Sequence, residues 1–159
     1  MTEIIRERMT ADVDGEFVVF LIGLRINKPW KIHKWLPVTM AMSKMLAELY
    51  QTPELGFRSH ESWLGRTTIM VQYWESFEKL ESYAKNKSSS HLPAWADFNK
   101  KVGSNGDVGI WHETYLSQKG KYECVYNNMP PFGLAKVGKH VPATGRFKAA
   151  SDRISANNA

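Results

Sequence analysis

The chain has 159 residues, with 43% hydrophobic and 23% charged side chains, a length and balance that suit one globular domain. These proportions exclude a mainly disordered chain, a coiled coil and a collagen-like polymer. The net charge of +5 is unevenly placed: residues 1–132 carry 16 Lys and Arg against 15 Asp and Glu, and residues 133–159 carry five against one. No basic stripe crosses the main part of the chain, so nucleic acid is not an expected partner.

No apolar run approaches the ~20 residues of a membrane-spanning helix; the longest, Phe17 to Leu24, is strand-sized. The first residues lack the apolar stretch of a secretory signal. Cys124 is the single cysteine, so the chain forms no internal disulfide and no Cys-based metal cage. A cytoplasmic location is the expectation. Aromatic residues reach 12%, with six Trp, and there are seven Met. Wide, soft apolar side chains suit a large core, an oligomer interface or an apolar ligand cavity.

In chain order, residues 1–15 are polar, end in Asp12-Val13-Asp14-Gly15, and read as a mobile arm. Residues 17–26 are rich in β-branched and aromatic side chains. Both faces of this strand are apolar, so both need cover. Asn27-Lys28-Pro29-Trp30 breaks it. Pro37 fits the first turn of a helix, with Val38, Met42, Met45 and Leu49 at helical spacing and Thr52-Pro53 at its end. Residues 57–64 and 67–74 read as a hairpin joined through Gly65-Arg66. Ser76 is a candidate N-cap for a helix with Phe77, Leu80, Tyr83 and Ala84 on its apolar face. Ser88-Ser89-Ser90 interrupts, and a second helical piece covers 91–102, with Leu92, Trp95 and Phe98 spaced by three. A turn cluster at 103–107 precedes a last strand over 108–116.

Strand, helix, strand, strand, helix, strand predicts an α+β, ferredoxin-like βαββαβ fold with an antiparallel sheet. Helices cover one face of such a sheet. The two-sided first strand, with Met70, Gln72 and Trp74 on one face of the third, points to a second copy of the sheet, hence a homodimer with a cavity between or beneath the sheets. The layout is then an arm over 1–15, the ferredoxin-like domain over 16–118, and a wrapping extension over 119–159. In that extension Tyr122 to Tyr126 adds a short strand, Asn128 to Leu134 wraps the domain, and the chain beyond Pro142 is loose.

Standard nucleotide, nucleophile-elbow and zinc-protease signatures are absent. Cys124, in an apolar strand-like context, reads as structural. Glu75, Glu78 and Glu81 follow a solvated helix pattern. The histidines are more informative. His140 lies in the tail and His60 in a polar strand stretch, both expected at the surface. His33, in Trp30-Lys31-Ile32-His33-Lys34-Trp35, is either a hydrogen-bonded junction residue or a substrate contact. His91 begins a helical piece, either exposed or aimed at a cavity as a metal or haem ligand. Period-two alternation groups His112 with Ile110 and Thr114, opposite Trp111, Glu113 and Tyr115. It is either a satisfied core group or a pocket-lining general acid or base.

The run from Val71 to Leu80, Val-Gln-Tyr-Trp-Glu-Ser-Phe-Glu-Lys-Leu, resembles the strand-to-helix junction of dimeric α+β barrel proteins. These include antibiotic-biosynthesis-type monooxygenases, haem-degrading monooxygenases and aldoxime dehydratases. More specifically, residues 17 to about 134 resemble a family grouped with a monooxygenase of the fungal fumagillin pathway. Four runs carry that resemblance: 26–35, 65–74, 106–115 and 128–134. It implies a dimeric α+β barrel with a C-terminal extension, and oxygenation of a fairly apolar substrate in secondary metabolism, without metal or flavin. Met70, Gln72, Trp74, Trp111 and His33 would then contact substrate, and His112 and His91 would be catalytic, with His112 taking or giving a proton. No metal site is expected and no resident cofactor. Alternatives are a cofactor-free isomerase or cyclase in the same pocket, and a non-enzymatic dimeric binding module. The resemblance to aldoxime dehydratases implies a further alternative, a haem b lyase with His91 as proximal ligand and His112 as distal acid/base. Substrate, redox partner and the role of residues 135–159 are not specified by these patterns.

Overall fold

In this computed structural model residues 3–156 are described, with side chains through Ile154. Met9–Asp12 form β1 and Glu16–Ile26 form β2. Ile32–Gln51 form α1, and Phe57–Trp63 and Ile69–Trp74 form the hairpin β3 and β4. Phe77–Lys85 and His91–Lys101 form α2 and α3, and Val108–Gln118 forms β5. Lys139–Pro142 form β6 and Ala150–Ala156 form α4. The main sheet runs β3-β4-β2-β5, antiparallel at every pair. This is the expected ferredoxin-like arrangement: two-sided apolar β2 sits inside the sheet, between β4 and β5. A single chain closes no barrel.

α1 starts five residues before Pro37, earlier than proline's preference for a first turn predicts. The first four N–H groups of a helix have no internal partner. Proline in the second turn therefore removes only the hydrogen bond to the His33 carbonyl, and the helix tolerates it. α2 begins as expected at Ser76, whose hydroxyl accepts from the Lys79 N–H at 3.3 Å.

The helices pack on the face of the sheet that carries Val18, Phe20, Ile22 and Leu24. Trp74, Val18, Leu49, Phe57, Leu80 and Tyr83 form one buried cluster there. Leu24, Val102 and Val108 form another, backed by Trp35, Val38 and Phe98. Met70, Gln72 and Trp74 are buried in the helix-facing layer. This corrects their use as evidence for a second sheet: alternation groups the three correctly but does not say which layer covers them.

The opposite face is covered in part by the chain's own ends. β1 pairs with β6 antiparallel, Met9 opposite Pro142 and Asp12 opposite Lys139. Behind this ribbon, Ala11, Val13, Leu134 and Ala135 bury against Phe17, with Val19, Tyr73, Tyr122 and Tyr126 alongside. Residues 9–12, expected in a mobile arm, are thus a buried strand, because their apolar partners lie more than a hundred positions away. The tail departs from expectation in the same way. In α4 Arg153 is 2% exposed. Its guanidinium donates to the Phe147 and Lys148 carbonyls at 3.0 Å and to Glu123 at 2.7 Å. His140 lies in β6 with its Nε2 buried against the Tyr126 ring rather than at the surface. Tyr122 to Tyr126 adds no strand, only a bridge from Tyr126 to Met9.

The Asn128-to-Leu134 run docks at β3. The Gly133 N–H donates to Glu61 at 3.0 Å, and Lys136 pairs with the same carboxylate oxygen at 2.7 Å. Gly133 has φ +58, and a Cβ there would stand 3.1 Å from the Tyr73 hydroxyl. The position requires glycine for both its backbone and its space.

Candidate active site

β2 and β5 are paired so that Leu24 faces Ile110, Ile22 faces His112 and Phe20 faces Thr114. Phe20, Ile22, Ile110, His112 and Thr114 form the floor of a cavity of about 640 Å³ between sheet and helices. α1 supplies Val38, Met42 and Met45, α2 supplies Phe77, Leu80 and Ala84, and α3 supplies His91, Trp95 and Phe98. The gap exists because α3 is amphipathic but leaves none of its residues buried: it stands off the sheet instead of packing on it. The volume lies within the roughly 300–1,000 Å³ of small-molecule sites, and apolar walls with few polar groups are their usual lining. A recess of about 60 Å³ continues inward past Met42, Leu80 and His91 to Met70, Gln72 and Trp74.

His91 is the first residue of α3. Its Nδ1 lies 3.0 Å from the Ala84 carbonyl. Only a protonated Nδ1 donates to that oxygen, so in the neutral imidazole Nε2 keeps its lone pair. The junction that holds His91 depends on Glu48 of α1, which pattern reading did not single out. Its carboxylate accepts from the Ser90 N–H at 3.0 Å and from the Tyr83 hydroxyl at 3.0 Å. Burial, and then this hydrogen bond, push the Tyr83 phenol well above its ordinary value. The Tyr83 ring centroid is 6.2 Å from that of His91. Glu48 reads as one more charge on a helix in sequence, because its partners lie 35 and 42 positions away.

His112 approaches from the opposite layer. Its ring packs at 5.7 Å, tilted, against Phe20, on the exposed stretch of edge strand β5. Leu116, further along the same strand, is 70% exposed. The two histidines therefore line one cavity from its two walls. In the recess, Trp74 Nε1 donates to Gln72 Oε1 at 2.9 Å and Gln72 Nε2 donates to Met70 Sδ at 3.1 Å. One amide hydrogen of Gln72 is left, and thioether sulfur is a weak acceptor.

Two residues expected to contact substrate lie elsewhere. Trp111 alternates to the other face of β5, against Gly23, where its indole N–H is buried without a partner among the described residues. His33 is exposed on α1, away from the cavity lining. His60 is half-buried beside Tyr50, whose hydroxyl is 2.8 Å from its Nδ1, and burial lowers its pKa. Cys124 Sγ accepts from the Ala11 N–H at 3.4 Å under the terminal ribbon. Among the described residues no cluster of His, Cys, Asp or Glu is arranged to hold a metal ion, and no helix is long and apolar enough to cross a membrane.

The fold is a ferredoxin-like α+β sheet with helices raised over an apolar cavity on one face. The family described as monooxygenase af470-like matches residues 17–134, and the chain belongs to that family. It is 26% identical to the monooxygenase af470 of Aspergillus fumigatus, over 86% of this chain and 56% of that protein. The chain thus spans about half the length of the curated relative it matches. Among solved structures, an aldoxime dehydratase in complex with butyraldoxime superposes with a TM-score of 0.65 at 13% identity, covering 87% of this chain and 42% of that one. A cofactor-independent oxygenase from Streptomyces nogalater superposes with a TM-score of 0.46 at 11% identity, over 65% of this chain and 94% of that one.

Proposed function

We propose that the chain is a monooxygenase-type enzyme that oxidises a fairly apolar small molecule in the cavity between helices and sheet. The observation that carries this reading is that His91 and His112, from opposite layers, line the same apolar cavity in a chain of a monooxygenase family. Apolar walls bind the substrate, and the bound substrate displaces water from between them. His112 takes a proton from the reacting carbon and returns one to the departing water. In the cofactor-free form the substrate itself supplies the electrons: a CH₂ group and O₂ become a carbonyl and H₂O, so the substrate must be electron-rich, such as a polycyclic phenol. Gln72, at the deep end, offers its remaining amide hydrogen to a substrate oxygen.

Oxygen uptake with a panel of polycyclic phenols tests this. Uptake matched to substrate, reduced about 10²–10⁴-fold in His112→Gln, is the expected result; full activity in that variant removes His112 from the chemistry. A homodimer belongs to the same proposal. It is supported by the unpaired edge of β5, where Tyr115 is 53% and Leu116 70% exposed, and sedimentation equilibrium of the purified chain decides it.

One observation favours a second reading, a haem-dependent lyase. The residues present fit a haem: Nδ1 of His91 is tied to a carbonyl, which leaves Nε2 as a ligand, and the walls are apolar. Haem would supply a Lewis-acidic iron in the cavity. His91 would hold it, and His112, on the sheet wall of the cavity, would hold or move a proton. A Soret band on haem titration, lost in His91→Ala, is the outcome this reading requires.

A further inference from the structure

At one end of the sheet three loops meet. The Ile26 N–H donates to the Arg66 carbonyl at 2.7 Å and the Asn27 N–H to the Asp107 carbonyl at 3.2 Å. These bonds join residues 27–31, the tip of the β3–β4 hairpin and the turn before β5. This end exposes large apolar side chains: Leu64 is 87% exposed, Trp30 74% and Ile32 53%. Leu36 and Met40 continue the stripe on the outer face of α1.

The charges around them are mostly positive, with Asp97 paired to Lys101 at 3.6 Å. No Asp or Glu occurs between Glu16 and Glu48, a stretch that holds Arg25, Lys28, Lys31, Lys34 and Lys44, and Arg66 stands alone between Glu61 and Glu75. Lys100 and Lys101 close α3 at the same end. The carboxylate that faces inward here, Asp107, is buried and shared by Lys28 and Lys31 at 2.8 and 2.9 Å, so two cations meet one anion. Exposed Trp and aliphatic residues ringed by Lys and Arg match the interface of an anionic bilayer, where apolar side chains enter the headgroup region and cations meet acidic lipid.

We propose that this end of the molecule docks on an anionic membrane surface through Trp30, Ile32 and Leu64. The cavity reaches the same end. Lys34 and Lys101 line it, and Lys34 Nζ donates to the Lys101 carbonyl at 2.8 Å, bridging α1 and α3 at its rim. On the reading of the cavity given above, an apolar substrate passes from the bilayer into the cavity without crossing bulk water. The docking itself does not depend on that reading.

Co-sedimentation of the full chain with phosphatidylcholine vesicles, with and without phosphatidylserine, tests the docking in the absence of any substrate. The chain is expected to bind the phosphatidylserine vesicles, to leave neutral ones in solution, and to release as salt rises. Trp30→Ser combined with Leu64→Ser should weaken binding about tenfold or more, and Lys100→Gln about fivefold. These positions are exposed, so the variants keep the fold, checked by an unchanged unfolding midpoint. Absence of binding to phosphatidylserine vesicles, binding undiminished in the double variant, or retention on heparin without vesicle binding would overturn the proposal. Activity on soluble substrate is a separate readout, so loss of docking and loss of the enzymatic reading are distinguishable.

Discussion

Replacing Glu48 with Ala removes the carboxylate that ties α1 to the α2–α3 junction. It accepts from the Ser90 N–H and the Tyr83 hydroxyl, each at 3.0 Å, and Tyr83 is 5% exposed. Hydrogen bonds to a charged group contribute about 1.5–3 kcal/mol each, and Glu48 is only half-buried, so the lower end applies and the loss is about 3 kcal/mol. At about 2–4 °C per kcal/mol for a chain of this size, the thermal midpoint falls by ~6–12 °C. Glu48→Gln keeps an acceptor and loses only the charge, so about 1 kcal/mol is expected. The Tyr83 phenol reports on the same contact. Burial is the larger cause of its raised pKa and Glu48 the second. In Glu48→Ala its titration therefore moves down but stays above 10, the ordinary value. Paired denaturant unfolding and absorbance-monitored phenol titration check both. An unchanged midpoint together with an unchanged Tyr83 titration would refute the role given to Glu48.

Trp74 is 1% exposed, edge-on to Phe57 at 5.5 Å and tilted against Tyr83 at 5.7 Å. Trp74→Ala should cost about 3–5 kcal/mol in urea unfolding. Gly133→Ala forces a side chain into positive φ against the Tyr73 hydroxyl; a loss of about 1–2 kcal/mol and faster proteolysis of residues beyond 133 are expected. For Asp107, hydrogen bonds from Lys28 and then Lys31 hold the carboxyl below its ordinary 3.8. Its folded value lies below its unfolded one, so its contribution is present above about pH 4 and is lost as pH falls through the folded value. Asp107→Asn should flatten that acid limb in pH-dependent unfolding. His60 works at higher pH: burial, its first cause, lowers its pKa below 6.5. Protonation then penalises the folded state as pH drops below about 6.5, and His60→Gln should remove that component.

The sheet and its order were legible because β2 is apolar on both sides and the hairpin and helices carry clear periodicity. His112 was legible from period-two alternation beside Ile110, and His91 from its position opening α3. What alternation cannot report is which layer lies over a face, which is why Met70, Gln72 and Trp74 were set against a second sheet and not against α1 and α2. Pairings distant in sequence were equally silent. β1 finds β6 across most of the chain, Glu48 finds Ser90, and buried Arg153 finds Glu123; none of these partners is within reach of a local pattern. Composition made both ends look loose because their few apolar residues are buried only when the two ends meet.

On the proposed function, apolar molecules occupy the cavity between helices and sheet, in contact with both histidines. The most direct measurement is histidine-selective NMR during titration with N-phenyl-1-naphthylamine, a neutral apolar probe. The account predicts that the His91 and His112 ring signals shift together and saturate while His33, on the outer face of α1, stays in place. Saturable binding that leaves His91 and His112 unmoved would contradict it.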